Sequence, residues 1–303
     1  MKILIVGSGA VGGYYGAVLA RGGHDVTFVA RGEHGRLMAE HGLTVETPDG
    51  EFTVTAPVLP DVQDAAGLDV DLAIVAVKST ALDSAVTAGV DAALGPSGVA
   101  LPLLNGVDSE EVLARALGES RVVGGIAQIA ARLVSPGRVQ MSGPSRLVIA
   151  PLSSEQMPLV ERLAAKLSSA GLVCEAKRDL KRILWTKLLW NAPFNAICAL
   201  TRKNAGEVLA VPELATLVHG AMLEVAAVAR AEGVVIDEAF IESTLASTRA
   251  KFADSVPSML QDVLAGRATE TRALQGAVTH RGSIHGISTP IHQTLMALML
   301  GLE

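Results

Sequence analysis

The chain has 303 residues; half are apolar, 18% are charged and only 3% are aromatic, and the net charge is −6. That length accommodates two domains, each with its own core, and the apolar share excludes a disordered chain. An acidic balance without a basic patch, together with so few aromatics, excludes a duplex-binding surface and a base-stacking platform, so no nucleic-acid partner is expected.

The mean hydropathy of +0.40 comes from alanine, valine and leucine. No window approaches 18 uninterrupted apolar residues, so no membrane span is expected. The opening "MKILIVGSGAVGG" has too short an apolar run for a signal peptide. Cys174 and Cys198 lack metal-site spacing. They read as small buried hydrophobes kept reduced in a cytoplasmic protein, and no metal site is expected.

Lys2–Val6, "KILIV", is a β-branched apolar run that suits a buried parallel strand. It leads into Gly7-Ser8-Gly9-Ala10-Val11-Gly12, a G-x-G-x-x-G loop, and then into a helical pattern ending at Gly22-Gly23. Gly7 permits a tight turn, Gly9 lets the backbone approach a pyrophosphate, and Gly12 lets a helix lie close on the strand. The helix N-terminus offers free N–H groups to phosphates. With a second strand at Asp25–Ala30, this context reads as a dinucleotide-binding loop rather than a packing turn. The tip of that strand carries Arg31, whose guanidinium suits a 2′-phosphate, and Glu33 is the competing ribose ligand. NADP(H) is favoured over NAD.

Val70–Ser79 and Gly98–Gly106 read as further buried strands, ending in Lys78 and in Asn105-Gly106. Ligands of open α/β sheets gather at the carboxyl ends of strands, which places Lys78 and Asn105 near the nicotinamide half of the cofactor. Between Arg121 and Arg178, short strands alternate with turns at Ser135-Pro136-Gly137 and Ser142-Gly143-Pro144. A helix near 154–170 and a strand near 172–176 complete this part. Asp179 is a suitable N-cap, and from there strand signals fade. Helical patterns run through Pro212–Gly233, Ser258–Gly282 and Pro290–Leu302. The expected class is an α/β Rossmann-type dinucleotide-binding domain (residues 1–178) followed by an all-α domain (residues 179–303).

In "LWTKLLWNAPFNAICALT" (Leu184–Thr201), Lys187, Asn191 and Asn195 are four apart and share one helical face. Flanking tryptophans and leucines argue against a solvent-facing stripe. Pro193 removes one N–H and crowds the carbonyl of Leu189, which predicts a kink or break. Ser258–Gln261 also reads as an S-x-x-Q capping box, and Glu270 could pair with Arg267 at i−3. His219, His280, His285 and His292 read as ordinary surface or core residues.

The glycine loop, "VKS", "LNG", "WTKLLWNAPFN" and "SMLQDVLAGRATE" occur in the order and at separations similar to those of the ketopantoate reductase (2-dehydropantoate 2-reductase) family. The chain resembles that family over essentially its whole length, and the last two elements carry the resemblance more specifically than the glycine loop. It implies NADPH-dependent reduction of a 2-keto acid to a 2-hydroxy acid, ketopantoate to pantoate in pantothenate biosynthesis. It also implies a cleft between a Rossmann domain and a helical domain. By this resemblance Lys187 and Glu270 are catalytic, and Asn191, Asn195 and Ser258 bind substrate together with Lys187. Asn105 reaches both substrate and cofactor, and Lys78, Glu270 and the backbone of Ala130 lie on the cofactor side. The chain departs from the family pattern I-D-x-x-N-G after Glu270, where it has Thr271-Arg272-Ala273-Leu274-Gln275-Gly276, and at Ala205, where the family has an asparagine. These changes fall on the substrate side. Another 2-keto acid is therefore the alternative substrate, and a non-catalytic NADP sensor the alternative function. The apolar C-terminal helices could bury a homodimer interface.

Overall fold

The computed structural model describes residues Met1–Leu302. The chain forms two compact units: the first holds Met1–Leu104 and Ser109–Leu180, and the second holds Asn105–Asp108 and the chain from Lys181 onward.

The first unit runs β1 (Lys2–Val6), α1 (Ala10–Arg21), β2 (Asp25–Val29), α2 (Gly32–His41), β3 (Leu43–Thr47), β4 (Gly50–Val54), β5 (Val58–Leu59), β6 (Val70–Val75), α3 (Ser84–Ala93) and β7 (Leu94–Pro102). It continues with α4 (Ser109–Leu117), β8 (Val123–Gln128), β9 (Ala131–Ser135), β10 (Arg138–Met141), β11 (Arg146–Pro151), α5 (Met157–Ser169) and β12 (Cys174–Ala176). Its main sheet is parallel, in the order β5-β2-β1-β6-β7. Strands covered on both faces must be apolar at every position, and the two faces then sort by parity. Ile3, Ile5, Val26, Phe28, Leu72 and Ile74 enter one core with α1 and α5. Leu4, Val6, Val29, Ala73 and Val75 enter the other, with Val90 of α3 and Leu113 of α4. A second sheet, β4-β3-β10-β9, is mixed, with β3 parallel to β10, and β12-β11-β8 forms a third.

The second unit is helical: α6 (Leu180–Thr201, its first residue assigned to the other unit), α7 (Ala205–Leu209), α8 (Pro212–Ala231), α9 (Glu238–Lys251), α10 (Ser258–Leu264), α11 (Thr271–Ile284) and α12 (Pro290–Leu300). From Leu184 onward α6 is buried almost all round, as a core helix must be. The sequence suggested a kink or break at Pro193, and the helix continues through that residue without a break. The amide of Gln275 donates to the carbonyl of Ala192 (2.6 Å) beside that proline. The single helical pattern read over Ser258–Gly282 is two helices, α10 and α11, separated at 265–270. By length and composition α8 could cross a membrane. Its Val218, Ala221, Met222, Val225 and Val228 are instead buried, and the helix packs against α7, α9, α11 and α12.

Helix α12 is capped from outside its own chain segment. Thr289 supplies no side-chain cap. The Glu224 carboxylate of α8 accepts from the N–H groups of Ile291 (2.8 Å) and His292 (3.0 Å), and pairs with Nδ1 of the fully buried His292 (2.8 Å). Burial would raise the Glu224 carboxyl, but these three partners outweigh it and hold the group below its ordinary value. A carboxylate here also complements the helix dipole. We expect Glu224→Ala to cost about 2 kcal/mol of stability at neutral pH. A depressed carboxyl stabilises above its ordinary range and loses that contribution as pH falls through the folded value. Urea curves of wild type and variant should therefore converge in acid, and equal midpoints at pH 7 would refute the cap.

Candidate active site

The glycine loop sits between β1 and α1. Gly7 has φ +93°, and a Cβ there would lie 2.8 Å from the Val77 nitrogen. A Cβ on Gly12 would lie 2.1 Å from the Gly7 carbonyl oxygen, so α1 can approach the loop only with glycine there. A Cβ on Gly9 would meet nothing within 4 Å. The loop thus needs two glycines for its own shape and leaves the third facing open space beside an uncapped helix start. Ala10 and Val11 form the first turn of that helix and are half-buried. Ser8 is buried and its hydroxyl and N–H both donate to the Val29 carbonyl (3.0 and 3.2 Å), which holds the loop against the end of β2. An anion at a helix start with bare backbone beside it is the arrangement that holds a pyrophosphate.

Arg31 is exposed and caps the start of α2, two residues beyond β2. Glu33 is engaged on its own helix. Arg36 donates to both of its carboxylate oxygens (2.8 and 2.6 Å), and these bonds hold the Glu33 carboxyl below its ordinary value. Arg36 also binds Glu40 at 2.7 Å. Of the two residues weighed as the adenosine-ribose selector, the acidic one is therefore committed to Arg36. Lys78 is exposed three residues past β6, and Ala130 lies between β8 and β9, its carbonyl accepting from Ser142 N–H (2.9 Å).

In the second unit, five of the sequence-derived residues form one hydrogen-bonded row. Asn105 donates from Nδ2 to Glu270 (2.8 Å) and accepts at Oδ1 from Asn191 Nδ2 (3.4 Å). Asn195 Nδ2 donates to the Asn191 carbonyl (2.9 Å), and its Oδ1 accepts from Ser258 Oγ (3.3 Å) and from the Met259 N–H (3.0 Å). Glu270 and Asn195 are 8% and 2% exposed, so these bonds are made away from bulk water, where an unmet polar group is costly. Lys187 is half-buried one turn before Asn191 on α6. Lys78, Ala130, Arg31 and the glycine loop belong to the first unit and are not part of this row.

Two local readings are corrected by the structure. Ser258 does not cap α10: Pro257 is the N-cap, Ser258 turns to Asn195, and Gln261 donates to the Val256 carbonyl. Glu270 does not pair with Arg267, which binds Asp262 instead (2.9 Å). Asn204, next to the departing Ala205, is spent on a reciprocal capping box with Glu207. Three contributors went unread in the sequence: Gln275 against α6, Asp108 bound by Arg281 (2.5 and 3.0 Å), and His34 beside the glycine loop. Each acts through a partner at least 26 positions away, and the signal available beforehand was only a polar residue close to a motif.

A parallel nucleotide-type sheet with an open glycine loop, joined to a helical unit bearing a lysine, amides, a hydroxyl and a buried carboxylate, defines an oxidoreductase of the nicotinamide-dependent class. The family model "Ketopantoate reductase PanE/ApbA" matches residues 3–154, and its C-terminal counterpart matches residues 179–303. The chain belongs to the ketopantoate reductase family. It is 32% identical to a 2-dehydropantoate 2-reductase of Halobacterium salinarum over 99% of this chain and 98% of that protein. A crystal structure of 2-dehydropantoate 2-reductase from Geobacter metallireducens superposes with a TM-score of 0.91 at 32% identity, covering both chains completely. D-mandelate dehydrogenase, in a ternary structure with NADH and anilino(oxo)acetate, superposes with a TM-score of 0.93 at 25% identity, covering 100% of this chain and 98% of that one.

Asn195 has its amide oxygen filled by the start of α10. We expect Asn195→Ala to cost about 2–3 kcal/mol, because it strands the Met259 N–H and removes three bonds, whereas Ser258→Ala stays within about 0.5 kcal/mol. Urea midpoints measure both; equal values would show that the cap on α10 contributes nothing.

Proposed function

We propose that this chain reduces a 2-keto acid to the 2-hydroxy acid with NADPH, and that ketopantoate is the substrate. The observation that carries this reading is the row Glu270–Asn105–Asn191 set one helical turn from Lys187. We assign the cofactor to residues 1–178 and the keto-acid contacts to residues 179–303 with Asn105. The open Gly9, the uncapped start of α1 and the exposed Arg31 fit a dinucleotide carrying a 2′-phosphate. Lys78 and the Ala130 backbone serve the nicotinamide side.

Bound NADPH supplies the hydride that the keto carbon receives. The Lys187 ammonium stabilises the charge that grows on the carbonyl oxygen and delivers a proton to it. Asn191 and Ser258 hydrogen-bond the remaining substrate oxygens and fix their orientation. Asn195 contributes through Ser258, since its own amide oxygen already accepts two bonds. Glu270 is assigned as the carboxylate that acts with Lys187, and Asn105 orients that carboxylate. A cytoplasmic setting fits the two cysteines: burial pushes Cys174 and Cys198 to about 12, so both stay protonated and serve packing.

A second reading keeps the chemistry and changes the acid. The D-mandelate dehydrogenase neighbour and the altered segment Thr271–Gly276, with Gln275 packed on α6, favour it. NADPH oxidation against ketopantoate and a panel of 2-keto acids separates the two, and no turnover with any of them would leave the sensor reading standing. Lys187→Ala is expected to lower turnover about 10²- to 10⁴-fold with NADPH binding intact, and near-normal turnover would refute its role. Arg31→Ala is expected to weaken NADPH about tenfold while leaving NADH little changed, as read from KM for each cofactor.

A further inference from the structure

We propose that His34 is a positioning residue for the dinucleotide loop: its ring fixes the Ser8–Gly9 peptide so that the Gly9 N–H is turned to the phosphate side. This rests on the NADPH reading above. His34 lies in the first turn of α2 and is half-buried between two segments distant in sequence. Its Nε2 is 2.7 Å from the Ser8 carbonyl oxygen, and its Nδ1 is 2.9 Å from the Gly137 nitrogen. A backbone N–H can only donate and a carbonyl can only accept, so Nδ1 is the bare nitrogen and Nε2 carries the proton. One neutral tautomer satisfies both partners.

The Ser8 residue is thereby clamped at both ends. Its N–H and hydroxyl both donate to the Val29 carbonyl at the end of β2 (3.2 and 3.0 Å), and its carbonyl is taken by His34. The Ser8–Gly9 peptide is trans, so its C=O and the following N–H point in opposite directions. Pinning the carbonyl toward α2 therefore turns the Gly9 N–H away from α2. Gly9 is the loop residue whose side-chain position opens on empty space. The second ring nitrogen ties this arrangement to the Ser135-Pro136-Gly137 turn between β9 and β10. The carbonyl of Gly137 is itself held by the Thr44 N–H of β3 (3.0 Å). His34 thus links the loop to the mixed sheet without being a phosphate ligand itself.

Two substitutions separate the two bonds. Glutamine keeps a side-chain N–H near the position of Nε2 and loses the acceptor for Gly137; asparagine keeps an acceptor near Nδ1 and loses the donor to Ser8. NADPH is titrated by its fluorescence into each protein without substrate, alongside thermal melting and steady-state kinetics. We expect His34→Asn to bind NADPH about five- to tenfold more weakly, and His34→Gln to stay within about twofold of wild type. The KM for NADPH should rise in His34→Asn with kcat and the keto-acid KM unchanged, and both variants should melt at similar temperatures. If His34→Asn binds NADPH like wild type, or if both variants weaken equally, the donor to Ser8 is not what orders the loop and the proposal fails. A wild-type chain that does not bind NADPH would overturn the functional reading as well, a result read before any variant is compared.

Discussion

A carboxylate taken out of water must be met by donors, and the amide of Asn105 meets Glu270 at 2.8 Å. An amide has two faces of opposite character. Once its nitrogen is committed to Glu270, its oxygen is left to accept from Asn191, and the orientation of each residue fixes the next. Asn105 reaches this place because the chain after β7 turns at Gly106, whose φ is +99° and where a Cβ would lie 2.7 Å from the Ala273 carbonyl oxygen. Two residues further, Asp108 is gripped by Arg281, which also binds Glu232 at 3.2 Å. The four-residue segment Asn105–Asp108 is therefore fastened at both ends within the helical unit to which it belongs.

The same economy recurs at the helix starts. Helices α3, α7 and α9 are capped by their own Asp83, Asn204 and Asp237. Helices α10 and α12 are capped instead by Asn195 of α6 and Glu224 of α8. Helix α11 begins at Glu270, whose side chain is spent on Asn105 rather than on the helix. Local stability is given up where a side chain is needed elsewhere, and tertiary partners restore part of it.

Features set by short-range spacing were legible in the sequence. The parity of the β1 apolar run, the Gly7–Gly12 spacing and the four-residue steps from Lys187 to Asn195 are all local, and the parallel sheet and the α6 row follow from them. Non-local pairings were not legible. Strands β3 and β4 alternate apolar and polar residues, but that pattern does not reveal that β3 pairs with β10, nearly a hundred residues on. The cap signature at Ser258 and the i−3 pair at Glu270 were sound local patterns that lost to distant partners, Asn195 and Asn105. His34 carried no signal of its own, because its meaning depends on a carbonyl 26 residues before it and an amide 103 residues after it.

The segment Asn105–Asp108 also sets an order of events. During synthesis Asn105 and Asp108 emerge 165 and 173 residues ahead of the Glu270 and Arg281 they bind. The nucleotide-type unit can close its sheet long before then, as N-terminal units generally do. The segment Asn105–Asp108 has to wait for Glu270 and α11. Conversely, a helical fragment cut out at Lys181 would lack Asn105 and Asp108, the partners that Glu270 and Arg281 bind, and removing a partner from a charge held away from water is destabilising. The two halves are thus modular in architecture but not in chemistry. The polar row draws on Asn105 as well as on α6, α10 and Glu270, so it cannot be transplanted by cutting where the fold changes type.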